Sequence, residues 1–308
     1  MELLFGLILL LAGGESLVRG SVNVARHFGI SELMIGLTLV GFGTSTPELV
    51  TSIKAAMADA PGIAVGNVVG SNIANILLIL GVAAVIYPIT CQPAAVRRDG
   101  AALIASALCC VALALYGVLS LVPGLIFLGL IIGYIFYTYS MERASPVVAA
   151  GSAPIPIEAA SQNLWISGAL AIGGIALTIY GAKLLVEGAI DLARAHGISE
   201  ATIGLTIVAV GTSLPELVTS VMAAIRKNGD IALGNVIGSN IFNIWFILGI
   251  TALIHPIPVP KTIAQLDIWV MLAVTLALVG ATLFLRGVSR TLGILFLFGY
   301  CGYIVTLL

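Results

Sequence analysis

Two glutamates are the residues whose surroundings point to chemistry. Glu48 and Glu216 each stand in an apolar stretch with no Lys or Arg within five residues. An ionised side chain at the centre of a bilayer costs at least about 2.5–3.5 kcal/mol. A carboxylate kept there is expected to meet a positive charge. Thr44 lies four residues before Glu48, so hydroxyl and carboxylate share a helix face, with Ser45 beside Thr44 and Thr51 at i+3. Thr212, Ser213, Glu216 and Thr219 repeat the arrangement. Pro47 and Pro215 lack an N–H and crowd the carbonyl four residues back. The carbonyls of Gly43 and Gly211 are thereby released, and those of Gly41 and Ala209 loosened. In lipid a released carbonyl survives only where something satisfies it, and a dehydrated cation does so.

A second motif supplies neutral oxygens. Ser71 and Asn75 share one helix face at i, i+4, as do Ser239 and Asn243, and Asn67, Asn72, Asn235 and Asn240 are further amides nearby. Gly66-xxx-Gly70 and Gly234-xxx-Gly238 allow close helix approach, so packing alone is an alternative use of this motif. Together the two motifs offer carboxylates, hydroxyls, amides and carbonyls. Such hard oxygens suit Ca²⁺, which takes about 6–8 of them, and two carboxylates neutralise one Ca²⁺ and equally suit two or more Na⁺. Zn²⁺, Cu and Fe favour His or Cys. The three His are scattered, and the four Cys, at 91, 109, 110 and 301, form no CxxC pair. The expected ligands are therefore transported Ca²⁺ and Na⁺, with no cofactor.

The elements that must position these groups are membrane helices. Of the 308 residues, 60% are hydrophobic and only 9% charged, and the mean hydropathy is +1.16. Soluble domains carry about 25% charged residues, so a soluble enzyme is excluded. The net charge of −1 leaves no basic surface for nucleic acid. Apolar stretches of about 20 residues predict spans near 3–25, 33–56, 62–87, 100–118, 121–139, 164–190, 202–225, 231–254, 265–284 and 291–307. The first is read as a helix and not a signal peptide, because no Lys or Arg precedes it. The expected architecture is all-α, with ten transmembrane helices: a first five-helix unit over 1–139, an Ala/Ser/Pro-rich linker over 140–163, and a second unit over 164–308.

The halves are copies. Gly36–Ser52 (GLTLVGFGTSTPELVTS) and Gly204–Ser220 (GLTIVAVGTSLPELVTS) agree at thirteen of seventeen positions, at an offset of 168. At the same offset, Gly66–Ile76 (GNVVGSNIANI) and Gly234–Ile244 (GNVIGSNIFNI) agree at nine of eleven. Five spans per copy is odd, so the second copy enters from the opposite side, as an inverted-topology repeat. With the N-terminus outside, nine Lys/Arg fall inside and four outside, which predicts both termini extracellular or periplasmic and the linker cytoplasmic. Asp59, Asp99, Asp191, Asp230 and Asp267 fall at predicted span ends, and Glu15/Arg19 and Lys183/Glu187 read as i, i+4 ion pairs.

The GTSTPE and GTSLPE segments, each followed by GNVxGSNIxN in the next helix, resemble the two alpha-repeats of the calcium/cation antiporter superfamily, prokaryotic sodium/calcium exchangers in particular. The resemblance runs from about Gly13 to Pro88 and from Gly181 to Pro256. It implies cation sites at mid-membrane between the second, third, seventh and eighth helices, with the first and sixth sliding to expose alternate sides of a cell or inner membrane. By position it implies Glu48, Glu216, Thr44, Ser45, Thr212, Ser213, Ser71, Asn75, Ser239 and Asn243 as ligands, with the carbonyls of Gly41 and Ala209. Some members of the superfamily carry Asp at positions where this chain has Asn75 or Asn243, which leaves two acids here and not three. The function expected is Na⁺/Ca²⁺ exchange by alternating access, without enzymatic activity or an obligate protein partner. H⁺/Ca²⁺ antiport and a cation channel are the alternatives.

Overall fold

The computed structural model describes residues 2–91, 93–144, 163–196 and 209–307. These are mostly helical. The first half contains α1 (Glu2–Phe28), α2 (Glu32–Thr44), α3 (Thr46–Met57), α4 (Pro61–Ile86), α5 (Pro93–Tyr116) and α6 (Leu121–Ala144). The second contains α7 (Leu164–Ala195), a helical turn over Ala209–Gly211, α8 (Leu214–Ile225), α9 (Gly229–Ile254), α10 (Ile263–Phe284) and α11 (Arg290–Leu307). Eight of these helices are long and apolar enough to cross a membrane, or nine if the bent pair α2–α3 counts as one span. Residues 145–162, which hold most of the expected linker, and 197–208, where the expected 202–225 span begins, lie outside the described residues.

Helices α6 and α7 run on to Ala144 and Ala195, about five residues past their expected ends, and two further departures have a physical reason. The helix expected over 100–118 starts at Pro93, because Pro fits a first helical turn and the charged turn at Arg97–Asp99 continues the helix beyond its apolar stretch. The helix expected over 33–56 is interrupted. Ser45 sits at φ −79°, ψ 7°, and the axes on either side of it diverge by 44°. Pro47 has no N–H for the Gly43 carbonyl and its ring crowds that carbonyl, so the incoming helix cannot run through, and Pro fits the first turn of a new helix. Ser213, two residues before Pro215, adopts the same geometry (φ −92°, ψ 10°).

Helices α4 and α9 form the centre, with 67% and 78% of their apolar windows buried, against 11% for α11 at the rim. Small residues bring α9 against α2. A Cβ on Gly238 would lie 2.3 Å from the Leu37 carbonyl oxygen, and one on Gly234 2.5 Å from that of Leu33. Helices α1 and α7 form a separate antiparallel pair along a glycine seam. A Cβ on Gly6, Gly13 or Gly20 would lie 2.7, 2.7 or 2.4 Å from the backbone nitrogen of Leu185, Thr178 or Ala171. From the other side, Gly174 and Gly181 meet Leu17 and Leu10 in the same way.

Four two-residue strands join the halves. β1 (Ile89–Thr90) pairs antiparallel with β4 (Gly287–Val288), and β2 (Val118–Leu119) with β3 (Ile257–Pro258). Gly287 (φ +153°) permits the first pairing, since a Cβ there would lie 2.1 Å from the Ile89 oxygen.

The expected ion pairs Glu15–Arg19 and Lys183–Glu187 both form. Glu15 is also gripped by Arg226 at the end of α8, through two guanidinium nitrogens. Asp99, placed by the sequence at a span end, is fully buried. Its carboxylate accepts two bonds from Arg98 (2.7 and 2.9 Å) and one from the Tyr134 hydroxyl (3.1 Å). In the half-exposed turn beyond α4, burial beside Asp230 raises the Cys91 thiol to about 12, so it stays protonated.

Candidate functional site

The two helix breaks meet at the centre, and each half holds the other's acid. The Ser45 hydroxyl donates to Glu216 Oε1 at 3.0 Å, and the Ser213 hydroxyl donates to Glu48 Oε1 at 3.1 Å. Both carboxylates are about 1% exposed. Each begins a helix at its first turn, where the N-terminal amides favour negative charge. Their backbones are clamped identically. Asn67 Nδ2 donates to the Glu48 carbonyl (3.1 Å) and to Ser52 Oγ (2.9 Å), and Asn235 Nδ2 to the Glu216 carbonyl (3.2 Å) and to Ser220 Oγ (2.9 Å).

The remaining expected residues divide. Ser71 joins the centre with its hydroxyl 3.4 Å from that of Ser213, to which it can donate because the Ser213 proton goes to Glu48. Ser239 donates to the Gly41 carbonyl at 3.3 Å, which also accepts from the Ser45 amide at 3.2 Å. The Gly41 oxygen, expected to be loosened by Pro47, thus keeps its helical partner and gains a second donor. Thr44 is buried, with its hydroxyl 3.1 Å from the Val40 oxygen and 3.2 Å from Asn235 Oδ1. Thr212 is half-buried at the second break. Ala209 lies on the helical turn that precedes this break. Asn75 and Asn243 are buried beside the α4–α9 crossing, each at the opening of a stretch where the helix widens to π-type turns, Asn75–Ile79 and Phe242–Leu248. Such widenings often mark functional sites.

Among the described residues eight buried side-chain oxygens have no hydrogen-bond partner; four are hydroxyls, of Ser21, Thr138, Ser167 and Thr219, and the other four are Glu48 Oε2, Glu216 Oε2, Asn75 Oδ1 and Asn243 Oδ1. These last four come from two positions, each present once in each half. Burying an acceptor unpaired is costly, and a charged one most of all. All four are acceptors only, so what satisfies them is a donor or a cation. Among the described residues no three His, Cys, Asp or Glu side chains come together, so the centre is an oxygen site with two acids.

The sequence marks Asn67, Asn72, Asn235 and Asn240 only as nearby amides. Their duplication at the 168-residue offset, together with that of Ser52 and Ser220, is the signal that could have assigned them supporting roles.

A membrane protein whose two sequence copies meet at a buried, oxygen-lined centre belongs to the class of ion transporters with duplicated halves. The sequence profile of the sodium/calcium exchanger protein family matches residues 2–140 and 166–308, and the chain belongs to that family. It is 36% identical to the sodium/calcium exchanger MaX1 of Methanosarcina acetivorans, over 99% of this chain and 97% of that one. It is also 36% identical to the inner membrane protein YrbG of Escherichia coli K12, over 89% of this chain and 85% of that one. Among solved structures, it matches the sodium-calcium exchanger NCX_Mj soaked with 10 mM Na⁺ and no Ca²⁺, with a TM-score of 0.86 and 37% identity over 100% of this chain and 98% of that one. The protein is thus a multi-pass membrane protein of an exchanger family.

Proposed function

We propose that this protein exchanges Na⁺ for Ca²⁺ by alternating access, with the cations held between Glu48 and Glu216. The observation that carries this reading is the set of four unpartnered oxygens, two carboxylate and two amide, drawn equally from the two halves. Two carboxylates balance one Ca²⁺ or two Na⁺, so one centre accepts either load and competition between them couples their movements. Ser45, Ser213, Ser71, Ser239, Thr44, Thr212 and the carbonyls of Gly41 and Ala209 complete the proposed ligand set. Hydroxyls that now bond within the protein can turn toward an ion without moving the backbone.

The proposed architecture is ten spans in two inverted-topology units, 1–139 and 164–308. The duplicated motifs and the mirrored bonds between Ser45 and Glu216 and between Ser213 and Glu48 support it. Both termini lie outside the cell membrane in this reading, on the nine-to-four Lys/Arg bias. A tag at either end is then expected to be cleaved by protease added to intact spheroplasts. Protection of both tags would reverse the orientation.

Exchange is tested with proteoliposomes loaded with Na⁺ and diluted into Na⁺-free Ca²⁺ buffer. Ca²⁺ uptake is expected to follow the Na⁺ gradient at fixed pH and to stop when a Na⁺ ionophore collapses it. Uptake that follows an imposed pH gradient and ignores Na⁺ would replace this reading with H⁺/Ca²⁺ antiport.

A further inference from the structure

The side-chain oxygens of Asn75 and Asn243 are buried without a partner, and for them to be ligands in the proposed site something must keep the amides from turning nitrogen outward. An Asn side chain turned by 180° has nearly the same shape, and only its hydrogen-bond partners decide which end points where. A turned amide would aim two N–H donors at a cation. Neither Asn75 nor Asn243 is fixed by its own half.

The bonds around α4 and α9 settle the orientation in two steps. Asn72 Nδ2 donates to the Asn240 main-chain oxygen at 3.1 Å, and Asn240 Nδ2 donates to the Asn72 main-chain oxygen at 3.1 Å. A main-chain carbonyl can only accept, so both of these amides are locked with nitrogen toward the opposite backbone. Their oxygens then face the next residue along. Asn72 Oδ1 accepts from Asn243 Nδ2 at 3.0 Å, and Asn240 Oδ1 accepts from Asn75 Nδ2 at 2.9 Å. The nitrogens of Asn75 and Asn243 are thereby consumed, and their oxygens are the buried atoms left without a partner.

We propose that Asn72 and Asn240 are positioning residues: Asn72 aims the Asn243 oxygen, and Asn240 aims the Asn75 oxygen, into the cation site. The inference rests on the exchange reading and deepens it. The aiming is crossed between halves, since each amide sets the ligand of the opposite helix and not the one three residues ahead on its own. A residue that merely packs the α4–α9 crossing would show no such preference.

The crossed wiring gives a test by double substitution. Asn72→Ala, Asn243→Ala and Asn75→Ala are each expected to raise the Ca²⁺ concentration for half-maximal exchange about tenfold, with a smaller change in maximal rate. Asn72→Ala added to Asn243→Ala is expected to cost nothing further, because the oxygen it aims is gone. Asn72→Ala added to Asn75→Ala is expected to multiply, to about a hundredfold. The rise in melting temperature of the detergent-solubilised protein on adding Ca²⁺ reads the same affinities without transport. If N72A is not recovered folded, Asn72→Ser takes its place. Equal multiplication in both pairs, or an unchanged affinity in the single Asn72 variant, overturns the aiming role while leaving exchange intact. A parent protein with no Ca²⁺-dependent shift and no exchange overturns the site itself, and the aiming role with it.

Discussion

Glu48→Gln and Glu216→Gln are each expected to reduce Na⁺-driven Ca²⁺ uptake by at least about a hundredfold, the scale of losing one partner of a buried charge pair. The geometry explains why so conservative a change is severe. One oxygen of each carboxylate accepts from a serine of the opposite half, and the other has no partner. A glutamine keeps its oxygen on the serine and so places its NH₂ where the second oxygen was. A ligand becomes a pair of donors facing the ion, and half of the site's negative charge disappears. Without cations the variants are expected to melt no lower than the parent, since a neutral amide is easier to bury than an unpaired carboxylate. Intact insertion and melting with lost uptake is the predicted pattern. A correctly inserted variant that exchanges at the parental rate would remove that glutamate from the site.

Gly20→Ala carries the second large effect, and it acts far from the ions. The added methyl carbon would lie 2.4 Å from the Ala171 nitrogen, 2.7 Å from the Ser167 oxygen and 2.9 Å from the Ala171 Cα. All three are backbone atoms, so no side chain can turn aside and α1 must part from α7. A loss of about 3 kcal/mol is expected, at the upper end for overpacking, together with loss of exchange. Gly129→Ala is the control. Gly129 lies in α6 on an exposed face, with nothing within 4 Å of an added Cβ. Alanine there is expected to be neutral or to stabilise by up to about 1 kcal/mol through helix propensity. Equal melting temperatures for Gly20→Ala and the parent would show that the seam is looser than its geometry.

Much of this was legible in the sequence, for physical reasons. A glutamate in a long apolar stretch is conspicuous because lipid penalises charge, and a duplicated motif reveals equivalent positions directly. The 168-residue offset thus identifies Glu216 as the counterpart of Glu48 and Asn243 as that of Asn75. Equivalence, however, is not contact. Nothing in the offset says that Ser45 holds Glu216 and not the acid three residues along its own chain, because such pairing depends on how the halves dock. The crossed amides of Asn72 and Asn240 stay hidden for the same reason. Pro47 announces disturbed carbonyls, yet the Gly41 oxygen found a new donor in Ser239, on a helix far away in sequence. Asp99 looks like a surface charge because it borders an apolar stretch beside arginines. Its burial depends on Tyr134 arriving from the next helix.

The four short strands have a mechanical consequence. β1·β4 and β2·β3 lie at opposite ends of α5, and each ties a connection of one half to a connection of the other. Helices α4, α5, α6, α9, α10 and α11 all adjoin these strands in the chain, so the strands tie them into one frame, which would be the fixed part in the proposed exchange. Helices α1 and α7 adjoin none of these strands. In the exchange proposed above, their glycine seam would make them move as a single piston, because their backbones are in direct contact along it. A piston made of one helix from each half cannot clear both ends of the frame in the same stroke. Withdrawal from one mouth is entry into the other, and a continuous open pore would require the seam to come apart.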